Sequence, residues 1–395
     1  VIAHGTISTV YRRCILSMRK ILVVIERRAD YSRYRPILQL LKMDPFFSLH
    51  LVVTGINLLP GHGEDIDKIK ADGFTVHTTI PMFTEHSPDS GAEMVRGISR
   101  VLSGIVDVLE EVKPDLVLTG FDIGANFATA VAAAHMNIPV AHIQGGEVTG
   151  SIDESLRHAM SKFAHIHFPA TEDAKRRLVA MGENPAHIFV VGCPSLDVLM
   201  NVPVVPREQL EAKFRVDFSK PTVVLIQHPV TTENTQSLRQ IQATVDALRQ
   251  LKVQTIALLP NNDAGFSSII QTLTSSGLQW YPSLDVATFA NLYRHIWAIV
   301  GNSSSGIHEA ATFRVPSINI GTRQQGRERP ASVIDVDYDT PAIVRALERA
   351  LFDQDYRESL AGVTNPYGDG KTAPKIYKVL KEISLDGIIQ KKFYE

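Results

Sequence analysis

The sequence predicts an α/β protein made of two doubly wound, parallel-sheet halves in tandem. Three observations carry that expectation. Short β-branched runs alternate with helical patterns in two series, a proline-rich stretch separates the series, and each notable polar cluster falls just after a strand. In such sheets ligands sit outside the carboxyl ends of the strands, so with two halves the expected active site is the cleft between them.

The elements follow in order. Residues 1–17 precede Met18 and the basic-then-apolar MRKILVVI, lack the long apolar stretch of a signal peptide, and are expected to be a disordered or mis-started extension. The first half, expected over 18–200, has strands at 21–25, 49–55, 115–120, 139–143 and 188–192, with HIHF at 165–168 reading as a further strand. Residues 202–221 carry Pro203, Pro206, Pro221 and a charged amphipathic piece, which suits a domain crossing. The alternation restarts in a second half, expected over 201–375, with strands at 222–226, 255–259, 297–301 and 316–320.

Bulk properties narrow the function. At 395 residues the chain exceeds one typical core, and its 40 basic against 42 acidic side chains give no global field to attract nucleic acid or an anionic membrane. No apolar run approaches the roughly 18 residues that span a bilayer. Cys14 and Cys193 offer neither a disulfide framework nor a cysteine metal set, so a reducing cytoplasm is the simplest setting. The expected partner is a small molecule.

The polar clusters carry the chemistry. HIQGGEVTGSIDESLRHA at 142–159 runs from a strand through paired glycines into a helix start, gathering His142, Gln144, Glu147, Asp153, Glu154, Arg157 and His158. Asp153 is expected at the helix N-cap. GNSSSGIHEA at 301–310 joins Asn302, Ser303 and Ser304 to Glu309 one helical turn later, a pattern that suits phosphate oxygens on amides and hydroxyls and ribose hydroxyls on a carboxylate. Arg28 and Arg33 follow the first strand and Arg323 lies in GTRQQGR; the planar guanidinium fork suits a diphosphate. His228 in QHPVTT is a candidate phosphate ligand or acid, and Asn262 and Asp263 in PNNDAG complete the strand-end set. The chain has no GxxxxGK[ST] and no GxGxxG after the first strand, which disfavours a P-loop NTPase and a dinucleotide oxidoreductase. It has no HExxH either, so no metal is expected despite His165 and His167 sharing a strand face.

Taken together, RADYS at 28–32, the 142–159 stretch, GCPSLD at 192–197, QHPVTT at 227–232, PNNDAG at 260–265, GNSSSG at 301–306 and GTRQQGR at 321–327 closely resemble the hydrolysing UDP-N-acetylglucosamine 2-epimerases of sialic acid and related nonulosonate biosynthesis. The resemblance spans nearly all of 18–395. It implies two Rossmann-like domains in a glycosyltransferase-B arrangement, a C-terminal helical segment at 376–395 crossing back to the first domain, a homodimer or homotetramer, and no metal or nicotinamide cofactor.

The resemblance also implies a reaction: a base takes the C2 proton of UDP-N-acetylglucosamine as UDP leaves C1, and water then adds to the 2-acetamidoglucal with protonation from the other face. Asp122 matches the family's catalytic aspartate, with Asp153 and Glu154 its second acidic pair. Arg28, His228, Ser303, Ser304, Glu309 and Arg323 match the UDP contacts. Two departures stand out. Ile123 replaces an arginine that commonly follows the first aspartate, and Gln144 stands where many members have a glutamate; an amide cannot shuttle a proton. Either Asp122 and the Asp153/Glu154 pair divide the work with Glu147 assisting, or the sugar differs, a 2,4-diacetamido trideoxy sugar being the near alternative. A non-hydrolysing epimerase, a glycosyltransferase and a non-catalytic UDP-sugar sensor are the remaining readings.

Overall fold

The computed structural model describes residues 18–59, 65–88, 90–121, 123–150, 152–261 and 263–395, with Arg28 and Asp65 described by backbone alone. Two six-stranded parallel sheets organise the chain. The first comprises β1 (Arg19–Ile25), β2 (Phe47–Thr54), β3 (Val76–Ile80), β4 (Leu116–Gly120), β5 (Val140–Ile143) and β6 (Ile166–Phe168), in the order β3-β2-β1-β4-β5-β6. The second comprises β7 (Thr222–Ile226), β8 (Gln254–Leu258), β9 (Gln279–Tyr281), β10 (Ala298–Gly301), β11 (Ser317–Ile320) and β12 (Val333–Val336), in the order β12-β11-β10-β7-β8-β9. Both halves therefore share one topology. The order reverses between β1 and β4 and between β7 and β10, opening a crevice at the carboxyl ends of those strands.

The central strands read as continuous apolar runs because both faces of each sheet are covered. Along β1, Ile21, Val23 and Ile25 enter one core while Leu22 and Val24 enter the other, and all five are fully buried. The edges differ from expectation. Residues 188–192 form no strand, for Ile188 makes only an isolated bridge to His167, whereas β3, β9 and β12 are strands at sheet edges. VHTTI, QWY and VIDV are short or half-exposed, so they lack the buried apolar run that marks the central strands.

Two segments connect the halves. After the helix Pro194–Met200, the helix Arg207–Phe214 places Leu210 and Phe214 in the second half's core beside Leu199 and Phe218. Later the chain returns, and the helix Thr372–Glu382 sets Ala373, Ile376 and Leu380 into the first half's core with Ile37, Leu41 and Phe47. Asp197 fixes the return, accepting from the amides of Thr372 and Ala373 at 2.8 and 2.7 Å, where a carboxylate satisfies orphan donors and meets the positive end of the helix. Arg19 donates to the carbonyls of Leu380 and Ile383 at the other end. Beyond the helix, Lys391 meets the buried Glu183 at 2.5 Å, alongside Lys162 at 2.6 Å and His167 at 3.0 Å. Losing a fully buried side chain such as Leu380 to alanine costs about 2–5 kcal/mol, enough to threaten this attachment. Among the described residues, no helix is long and apolar enough to cross a membrane.

Candidate active site

The carboxyl ends of both sheets face a cavity of about 860 Å³. Its first wall is built by tight backbone. Just past β4, Phe121 has φ 69°, and just past β5, Gln144 has φ 61°, both in the left-handed region. His142 helps hold this corner, its Nε2 donating to the Phe121 carbonyl at 3.1 Å. The Phe121 ring lies under the Arg33 guanidinium at 4.8 Å, and both residues line the cavity. The helix that follows β5 begins at Ile152, one residue before the expected cap, so Asp153 falls in its first turn and reaches the cavity with Arg157. Glu154 faces elsewhere, accepting from the Thr149 amide at 2.6 Å.

The second wall relies on backbone and hydroxyls. Gly301 ends β10 at φ 120°, where a Cβ would collide with the Ile226 carbonyl, so the strand can turn there only as glycine. Asn302 then brackets the next loop, accepting from the His228 amide at 2.7 Å and donating to its carbonyl at 2.8 Å. The expected helix after Ser304 is interrupted: Ser305–His308 is a single helical turn and Ala310–Phe313 a 3₁₀ turn, with Glu309 at the joint. A four-residue helix has little macrodipole, so the wall's affinity for anions rests on hydroxyls and arginine rather than on a helix end. The hydroxyls of Ser303 and Ser305 lie 3.0 Å apart. The Asn261 amide donates to His228 Nδ1 at 3.1 Å, which leaves the proton on Nε2. Burial first, then Arg323 and Arg27, push this imidazole well below its usual range, so it is a neutral donor. Burial raises the Glu309 carboxyl.

The walls touch on one side. Arg323 Nη2 stands 3.9 Å from Asp153 Oδ2, and the Gly150 amide donates to the Arg323 carbonyl at 2.9 Å. A Cβ on Gly150 would strike the Thr322 carbonyl, so glycine permits this approach. Arg327 Nε donates to the Val148 carbonyl at 3.1 Å. Behind these contacts the buried Glu147 lies 3.2 Å from His308 Nε2 and 3.7 Å from Arg327 Nη2. Burial alone would raise its carboxyl, but His308, Arg327 and Arg157 outweigh that and hold it well below the usual carboxylate range. His308 is pushed down to about 4, burial prevailing over Glu147.

Of the residues expected from sequence, Arg33, Gln144, Asp153, Arg157, His228, Ser303, Ser304, Glu309 and Arg323 converge on the cavity. His142, Glu147, Glu154, His158, Asp263 and Asn302 do not line it; the hydrogen bonds of His142, Glu154 and Asn302 show them supporting the wall from behind. Asp122 and Asn262 lie outside the described residues, as does the side chain of Arg28. Among the wall residues not singled out from the sequence are Arg27, Ser195, His308 and Arg327. Arg27 is the N-cap of the helix Arg28–Met43, its amide bonded to Asp30 Oδ2 at 2.9 Å, and Asp30 three residues on was the available signal. His165 and His167 lie away from the cavity, and among the described residues no cluster of His, Cys, Asp or Glu could hold a metal ion.

Residues 39–381 match the family described as UDP-N-acetylglucosamine 2-epimerase. The chain is 38% identical over 383 residues to the UDP-N,N'-diacetylbacillosamine 2-epimerase (hydrolyzing) of Legionella pneumophila, covering 95% of this chain and 99% of that one. It is 34% identical over 336 residues to the UDP-N-acetylglucosamine 2-epimerase of Neisseria meningitidis, covering 84% and 88%. Among solved structures it resembles the Neisseria meningitidis UDP-GlcNAc 2-epimerase bound to UDP-GlcNAc, with a TM-score of 0.79 at 21% identity, over 92% of this chain and all of that one. At that identity the structural likeness establishes the two-domain glycosyltransferase-B fold.

Proposed function

Since the chain belongs to the UDP-N-acetylglucosamine 2-epimerase family, we propose that it is a UDP-sugar 2-epimerase of the hydrolysing kind, converting UDP-N-acetylglucosamine and water to N-acetylmannosamine and UDP. One observation carries this reading. A single cavity joins a wall of hydroxyl, neutral imidazole and guanidinium donors to an opposite wall bearing Asp153, so a nucleoside diphosphate and a sugar can be held together. Ser303, Ser304, His228 Nε2 and Arg323 are assigned to the diphosphate and Glu309 to the ribose.

In the proposed reaction a base removes the C2 proton, the C–H electrons form the C1=C2 double bond, and the C1–O bond breaks with its pair leaving on UDP. Water oxygen then adds to C1 while C2 takes a proton on the opposite face. Asp122 and Asp153 are assigned the two proton transfers. Glu154 is not, because its carboxylate is committed to the Thr149 amide. Product N-acetylmannosamine would feed sialic acid or related nonulosonate synthesis.

The names of two relatives favour a second substrate. Two proteins called hydrolyzing, 38% and 30% identical to this chain, are described as N,N'-diacetylbacillosamine nucleotide 2-epimerases. Proton NMR in deuterated water, with UDP-N-acetylglucosamine and UDP-N,N'-diacetylbacillosamine supplied separately, decides. The proposal expects UDP and a free 2-epimer carrying deuterium at C2. An intact UDP-linked epimer would reassign the chain to the non-hydrolysing kind, and the larger kcat/KM names the sugar.

A further inference from the structure

Gln144 combines three properties that seldom meet by accident. It lines the cavity at 3% exposure, its backbone is held in the left-handed region, and its side-chain oxygen Oε1 has no hydrogen-bond partner. A buried polar oxygen without a partner is costly, so such an atom points to a ligand that completes it.

The amide cannot turn to escape. Its Nε2 donates to Glu147 Oε1 at 2.9 Å, and an ionised carboxylate only accepts, so this end must be nitrogen and the other end must be oxygen. Glu147 is kept in that role from the other half of the molecule, by His308 at 3.2 Å and Arg327 at 3.7 Å. The acceptor is therefore oriented by groups that meet only when the two halves are together.

A secondary amide N–H can donate but not accept, and it needs a partner that accepts but does not donate. Hydroxyls do both and can rotate toward many partners. On the reading above, the ligand is a UDP-linked N-acetylamino sugar. We propose that Gln144 Oε1 accepts the acetamido N–H of that sugar, and that Glu147 is a positioning residue, aiming the amide only while His308 and Arg327 hold it. Gln144 thus reads the acetamido group and moves no proton.

The test compares wild type with Gln144→Met, Gln144→Asn, Glu147→Gln and the Gln144→Met/Glu147→Gln pair. It records KM and kcat for UDP-N-acetylglucosamine and inhibition constants for UDP and UDP-2-deoxyglucose, which has no donor at C2. Methionine matches the length of glutamine without its acceptor, and asparagine is too short to reach while tolerating the left-handed backbone. Each should raise KM for UDP-N-acetylglucosamine by about tenfold, the worth of one hydrogen bond to a buried acceptor, and leave both inhibition constants within about twofold. Unchanged UDP inhibition also reports an intact fold. Glu147→Gln should raise KM several-fold alone and add nothing to Gln144→Met, because its effect passes through the same amide. An equal loss toward UDP-2-deoxyglucose, an unchanged KM in both Gln144 variants, or a Glu147→Gln effect that persists beside Gln144→Met would overturn the proposal. If wild type proves inactive on UDP-N-acetylglucosamine, the same comparison is made with dissociation constants from calorimetry. The assignment of UDP-N-acetylglucosamine as the substrate would then fail while the Gln144 result still stands or falls by itself.

Discussion

The two halves share a strand order but treat the ends of corresponding strands in opposite ways. In the second, β10 ends on Gly301 at φ 120° and β11 runs into Gly321 at φ 77°. In the first, β4 and β5 run into Phe121 at φ 69° and Gln144 at φ 61°. A side chain in the left-handed region costs about 1–2 kcal/mol, a cost glycine avoids. The second half can use glycine because the groups assigned to the nucleotide there are serine hydroxyls, a neutral histidine and arginine, none of which stands at the turn. The first half places working side chains at the turns themselves: the Phe121 ring beneath Arg33 and the Gln144 amide against Glu147. Strain thus gathers on the side assigned to the sugar.

That contrast can be broken most directly at the carboxylates. Asp153→Asn should lower kcat by about 10²–10⁴-fold while UDP inhibition changes little, and Asp122→Asn should behave alike. A near-normal rate in either variant would remove the sugar chemistry from the first wall. The converse is Arg323→Ala, expected to weaken UDP binding by roughly 10–100-fold, with Ser303→Ala and Glu309→Ala nearer tenfold. Unchanged UDP affinity in all three would dissolve the division between the walls. Gly301→Ala probes the turns, and should cost about 1–3 kcal/mol in urea unfolding from its backbone angle and its clash with Ile226.

The smallest effect concerns acid. Burial pushes His308 and His165 down to about 4, so between the unfolded value near 6.5 and that value the unfolded chain binds more protons. Stability should accordingly fall as pH drops from about 6.5 to 4. His165→Asn, which can still accept from the Val140 amide, should recover about 1 kcal/mol at pH 4.5 after allowance for partial exposure, without altering UDP affinity. A slope unchanged by that variant would leave the cleft pair of His308 and Glu147 as its source.

Much of this was legible because apolar strands buried on both faces announce themselves, and because in a doubly wound sheet the polar residues after them must converge. β1, β4, β7 and β10 and their following clusters were readable for that reason. β3, β9 and β12 were not, since edge strands keep only part of the pattern, and IFVVG at 188–192 had the composition of a strand but runs beside β6 with one bridge, Ile188 to His167, and no continuous ladder. In the site, Arg323 could be picked out of GTRQQGR as a diphosphate candidate, but Arg327 four residues later acts through Glu147 and Val148 of the other half. His308 lay in the GNSSSGIHEA motif unnoticed for the same reason. Contacts between distant segments leave no local periodicity, and a helix-start carboxylate that accepts from a neighbouring amide, as Glu154 does from Thr149, has the same sequence signature as one that serves a substrate.

Asp197 and the helix it caps bear on how the protein comes into being. The first sheet is encoded by residue 168, yet its core waits for Ile376, Leu380 and Ile388. During synthesis the leading half must therefore emerge with an apolar groove uncovered until the second half has passed out of the ribosome. Completion is a late event joining residues more than three hundred positions apart, as Arg19 and Leu380 are. Such long-range closure is slow. The nascent first half would be the stage at which a chaperone has most to protect.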